Sequence, residues 1–146
     1  MRVSTTIDAR PRAVWEAIRD IGSHVEWMGD AVAIRFTSRR REGVGTTFEC
    51  DTRVGPFTTV DRMEITEWRP GRVMGVRHVG LVRGEGRFLL RGRWRGGTRF
   101  VWEEELRFPW WLAGPAGARL AAPVLARIWL RNLRALKHRV EAAQGH

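Results

Sequence analysis

Between residues 33 and 108, apolar and polar residues alternate, and Gly, Pro and Asp break the alternation at short intervals. A period of two places successive side chains on opposite faces of a strand, so this stretch reads as a meander of six antiparallel strands. Ile34 and Phe36 alternate ahead of Gly43-Val44-Gly45, and Phe48, Cys50 and Thr52 alternate up to Gly55-Pro56. Thr58 to Trp68 follows, closed by Pro70-Gly71, then Val73 to Val79 and a long strand from Leu81 to Trp94. After the Gly96-Gly97 turn, Thr98 to Phe108 puts Phe100, Trp102, Leu106 and Phe108 on one face, with Glu104 sharing their parity. Such a sheet must bury one face against something else.

The flanking segments supply the cover. Val3 to Ile7 reads as a further strand, and Pro11 suits the first turn of a helix whose inner face carries Val14, Trp15 and Ile18. Ser23 and Glu26 have the spacing of a capping box, which predicts a second short helix ending near Trp27. After Pro109, a Gly- and Ala-rich loop leads to a long helical pattern with Leu120, Val124, Leu125, Ile128, Trp129, Leu133, Leu136 and Val140 on one side. Pro123 is expected to start or kink its main segment. The fold class is therefore α+β: a seven-stranded antiparallel sheet curved around a long C-terminal helix, with two short helices after the first strand. Curling a sheet around a helix leaves enclosed apolar space, a common setting for a ligand.

Length and charge narrow the function. The 146 residues are expected to form one domain, 1–146, and 43% hydrophobic content excludes a disordered basic tail. The +10 formal charge is almost all arginine, Lys137 being the single lysine. Cys50 is the single cysteine, so no internal disulfide and no zinc site built on paired cysteines can form. The first residues lack a signal-peptide core and no stretch approaches the roughly 20 apolar residues of a membrane span, so a cytoplasmic protein is expected.

Ile7-Asp8-Ala9-Arg10-Pro11 followed by Val14-Trp15 and Asp20, then Trp27, Gly43-Val44-Gly45-Thr46, Glu67-Trp68-Arg69-Pro70-Gly71, Gly96-Gly97-Thr98 and Leu133-Arg134-Ala135-Leu136-Lys137 together carry a resemblance. Over nearly its whole length the chain resembles the helix-grip, or Bet v 1-like/START (SRPBCC), superfamily, and within it the polyketide cyclase/dehydrase-like branch. The resemblance implies a cofactor-free protein that binds an apolar or aromatic small molecule, a polyketide or a lipid, in an internal cavity. If it is an enzyme, cyclisation or dehydration of the aromatase type is implied. A lipid carrier or membrane-associated chaperone, and a ribosome- or protein-binding module, are the alternatives.

Parity and helical phase nominate the cavity residues. Trp27, Phe36, Phe48 and Cys50 come from the first half of the chain, Met74, His78 and Phe88 from the middle strands, and Trp102, Glu104, Trp129 and Leu133 from the last strand and helix. Glu104 and His78 are the candidate proton-transfer groups, because a carboxylate or imidazole among apolar side chains acquires a shifted pKa. For Glu104 the alternative is a bulge that turns it outward beside Glu103 and Glu105; for His78 it is a structural histidine. Cys50 reads as a small buried hydrophobe. His24, His78, His138 and His146 show no metal-ligand spacing, so no metal is expected.

Gly84-Glu85-Gly86 reads as strand glycines, lacking the context of a phosphate loop. Arg39-Arg40-Arg41 and Arg91, Arg93, Arg95 and Arg99 read as solvated strand-edge charge, and no specific nucleic-acid binding is expected. Trp110, Trp111 and Leu112, between Pro109 and Gly114-Pro115, are expected in a loop at the cavity entrance, where an indole gates ligand entry or makes weak membrane-surface contact, or else caps the end of the core.

Overall fold

The alternation becomes one seven-stranded, wholly antiparallel sheet in the computed structural model, which describes residues 1–145; His146 lies outside them. The strands are β1 (Arg2–Ile7), β2 (Ala31–Phe36), β3 (Thr47–Val54), β4 (Phe57–Arg69), β5 (Val73–Val79), β6 (Arg83–Gly92) and β7 (Thr98–Arg107), with helices α1 (Pro11–Ile18) and α2 (Gly114–Ala143). The spatial order β1-β7-β6-β5-β4-β3-β2 means that consecutive strands are hairpin neighbours, except that β1 closes onto β7. Val3 faces Trp102 and Ile7 faces Thr98 in that closing pair.

Burial follows the predicted parity. Phe48, Met74, Phe88, Phe100 and Trp102 point inward and meet Trp129, Leu133, Leu136 and Val140 of α2. Trp27 joins them from a 3-10 turn at Ile21–Glu26, and Phe36 packs against the edge of the same cluster. The aromatic rings interlock: Trp102 stacks on Trp129 at 5.0 Å and 15°, and Phe88 meets Trp102 edge-on at 5.1 Å. Offset and edge-to-face contacts of this kind stabilise a core beyond simple area burial.

Several local expectations are corrected. The turn after α1 begins at Ile21, and Ser23 bonds back to the Asp20 carbonyl at 2.6 Å instead of forming a capping box. Glu26 is instead held by the Arg139 guanidinium. Strand β6 stops at Gly92, because Trp94–Gly96 form their own 3-10 turn with Arg95 at a positive φ of 69°. The Gly- and Ala-rich segment after Leu112 is helix from Gly114 onward, and Pro123 lies inside it without ending it. Its first half is not covered: Leu120 and Val124, expected in the apolar stripe, are 79% and 51% exposed. Arg91 and Arg99 are not edge residues but face each other across β6 and β7.

Candidate functional site

A cavity of about 230 Å³ separates part of the sheet from α2. Phe48 and Cys50 of β3, Met74 and His78 of β5, and Phe88 of β6 line it, as do Trp102 and Glu104 of β7 and Trp129 of α2. Trp27, Phe36 and Leu133, nominated with them, are not among its lining residues. Trp27 and Leu133 belong to the adjoining packed core, and Phe36 lies beneath the Arg41 guanidinium, 4.8 Å from it. Trp110, Trp111 and Leu112 form a 3-10 turn and are exposed; none of the three lines the cavity. The cavity is thus partly filled by the protein's own indoles and partly open.

A strongly polar stretch of its lining lies on the sheet. His78 Nδ1 donates to Asp61 Oδ2 at 2.9 Å, and its Nε2 stands 3.2 Å from Glu104 Oε2, too oblique for a full hydrogen bond. Trp102 Nε1 donates to the other Glu104 oxygen at 3.1 Å. Glu104 is buried and faces inward, so β7 carries no bulge that turns it out. Asp61 was not nominated, although it sits two residues before Met63 on β4 and opposite Cys50; a carboxylate at inward parity in mid-strand was the available signal.

His78 and Glu104 are on strands separated by β6, and they meet because β6 has no side chains between them. Gly84 pairs with His78 and Gly86 with Glu104. A Cβ on Gly86 would come within 2.9 Å of the Glu104 carboxyl group. The two glycines form the recess in which an imidazole on β5 reaches a carboxylate on β7.

The electrostatics follow from these partners. Burial alone would lower the His78 pKa, but the hydrogen bond to Asp61 and the negative charge of Asp61 and of Glu104 close by outweigh it and hold it up to about 10. His78 is therefore an imidazolium at neutral pH. His24, which also lines the cavity, is bonded to the Ile18 carbonyl at 2.7 Å; burial outweighs that bond and the charge of Asp20, lowers it to about 4 and leaves it neutral. Burial likewise pushes the Cys50 thiol up to about 11, so it is a poor nucleophile. Asp30, at the α2 side, is raised by burial despite accepting from Asn132 Nδ2 at 2.8 Å. No group of three or more His, Cys, Asp or Glu among the described residues is arranged to hold a metal ion.

A curved antiparallel sheet gripping a C-terminal helix over an apolar cavity defines the helix-grip class, and known structures agree. The chain superposes on TTHA0849 from Thermus thermophilus with a TM-score of 0.77 and 19% identity, covering 98% of this chain and 97% of that one. The Zhui aromatase/cyclase from Streptomyces sp. R1128 gives 0.76 and 16%, over 97% and 92%. A START superfamily protein from Mycobacterium smegmatis gives 0.73 and 15%, over 98% and 97%. These identities establish a common fold only. The sequence goes further: residues 1–141 match the model of the polyketide cyclase / dehydrase and lipid transport family, and the chain belongs to that family. No curated protein matches it. No helix among the described residues is long and apolar enough to cross a membrane.

Proposed function

We propose that the protein binds a small aromatic or otherwise apolar molecule in this cavity and promotes loss of water from it, in the manner of a cofactor-free cyclase/dehydratase. The observation that carries the reading is the line from half-buried Asp61 to buried His78 and Glu104, set in a mostly apolar cavity lining. The oblique Nε2–H of His78 is a donor for a substrate oxygen, and Glu104 beside it is a base. For a β-hydroxy ketone, Glu104 takes the proton next to the carbonyl while His78 protonates the departing hydroxyl, which leaves as water. Glu104 then returns its proton to His78, and the pair is restored. Asp61 steadies the imidazolium, as a carboxylate behind a catalytic histidine does. The small volume favours a compact aromatic over a long acyl chain, which supports this reading over a lipid carrier.

The test uses the aldol adduct of benzaldehyde and acetone, whose dehydration yields a strongly absorbing enone. Quenching of Trp102 and Trp129 fluorescence reports binding, and absorbance reports turnover. The expected result is saturable binding, with Glu104→Gln leaving binding intact and slowing turnover by about a hundredfold or more. Binding with no turnover above the Glu104→Gln background reduces the protein to a carrier; no binding of this or related aromatics overturns the reading.

A further inference from the structure

One end of the molecule is apolar, basic and unpartnered. The β3–β4 hairpin around Phe57, the turn between Val79 and Arg83, and the segment from Arg107 through the first half of α2 all lie at the same end of the sheet, because β4 leaves it at Phe57 and β7 reaches it at Arg107. The cavity extends to this end, where Val54, Val82, Phe108 and Leu125 line it. Large apolar side chains project there into solvent: Trp110 is 86% exposed and Phe57 76%, with Leu81, Trp111, Leu120 and Val124 also exposed. The tryptophan turn is tightly seated, since Gly117 of α2 passes so close to the Leu112 carbonyl that a Cβ would stand 2.1 Å from it.

The charge at this end is one-sided. Residues 52–60, 79–84 and 106–127 contain Arg53, Arg83, Arg107, Arg119 and Arg127 and not one Asp or Glu. All five arginines are exposed, and none is in an ion pair among the described residues; what sets this end apart from the equally unpaired Arg91, Arg93 and Arg95 at the other is the set of apolar side chains exposed beside them.

We infer that this rim docks on the surface of a bilayer containing acidic phospholipids, with the indoles and Phe57 at headgroup depth and the five arginines on the phosphates, so that the cavity mouth faces the lipid. Indoles favour a boundary that is apolar on one side and wet on the other, and unpaired arginines beside them supply attraction to anionic headgroups. A second copy of the chain is a poorer occupant, since a two-fold pairing of the rim would press the arginines against their own equivalents. The inference is independent of any chemistry in the cavity.

The test is flotation with vesicles of phosphatidylcholine alone and of phosphatidylcholine mixed with phosphatidylglycerol, at low and physiological salt. The protein is expected to float with the acidic vesicles only. Trp110→Ala with Trp111→Ala, and separately Arg107→Glu with Arg119→Glu, should each weaken binding roughly tenfold with the melting temperature retained. Trp94→Ala is the control: this residue is 90% exposed among arginines at the opposite end and should bind as wild type. The inference is overturned if neutral and acidic vesicles bind alike, if neither does, or if Trp94→Ala weakens binding as much as the rim variants. It is also overturned if sedimentation shows a dimer that the rim variants dissociate. Should the tryptophan pair fail to fold, the arginine pair decides alone, because both guanidinium groups lie in solvent.

Discussion

Two histidines line the same cavity and are buried to the same degree, each 6% exposed, yet they titrate in opposite directions. His24, on the turn that follows α1, is driven down to about 4; His78, on β5, is held up to about 10. Burial acts on both in the same sense. What differs is the partner: a neutral carbonyl for His24, two carboxylates for His78. The sign of a buried histidine's shift is thus set by formal charge within hydrogen-bonding distance, and the cavity holds one neutral and one ionised imidazole.

The contrast is broken most severely by removing a partner of the charged histidine. Glu104→Leu leaves a buried imidazolium with Asp61 alone and is expected to destabilise the protein by about 3 to 5 kcal/mol at pH 6, measured by urea unfolding. The loss should be smaller at pH 9, where the less well paired imidazole gives up its proton. If the loss were the same at both pH values, Glu104 would act as packing and not as a counter-charge. A subtler change is Gly86→Ala, whose methyl group displaces the Glu104 carboxyl from its recess. It should cost about 1 to 3 kcal/mol and lower the His78 pKa in an NMR titration.

Wild-type stability should itself carry both signatures. The His78 pKa is raised on folding, so its contribution is complete below pH 6.5 and is lost as pH rises through about 10. The His24 pKa is depressed, so its contribution is present above pH 6.5 and is lost as pH falls through about 4. His24→Gln, which can still donate to the Ile18 carbonyl, should flatten the acid limb while changing stability at pH 7 by about 1 kcal/mol or less. Thermal melts across this range provide the check; an acid limb unchanged by the substitution would assign it to carboxylates instead.

Period two made much of this legible in advance. Parity depends only on a strand being a strand, so the inward placement of Glu104 and His78 follows from their neighbours in sequence. The glycine recess does not, because Gly84 and Gly86 matter through residues on β5 and β7, and their cross-strand register is a tertiary property. Asp61 was within reach by the same parity. Helical phase, in turn, tells which side of α2 is apolar but not how far the sheet extends beneath it. Leu120 and Val124 therefore read as core, while Trp129 and Leu133 are core. The capping-box spacing failed for a similar reason, since Glu26 found a stronger partner in Arg139, more than a hundred positions away.

The closing pair of the sheet has a consequence for how the chain is made. Among the described residues, 2–7 find their one strand partner in residues 98–103, so a segment made before the rest of the sheet must wait for the last strand before it can be placed. The five hairpins from β2 to β7 form between near neighbours and need no such delay. Until β1 docks, β7 is an open edge, and α2, which packs chiefly against β1 and β7, lacks half its seat. Docking of β1 is thus the long loop closure that should set the folding rate, as non-local pairings do. The interval before it is when the indole-rich inner face is most exposed to association with other chains.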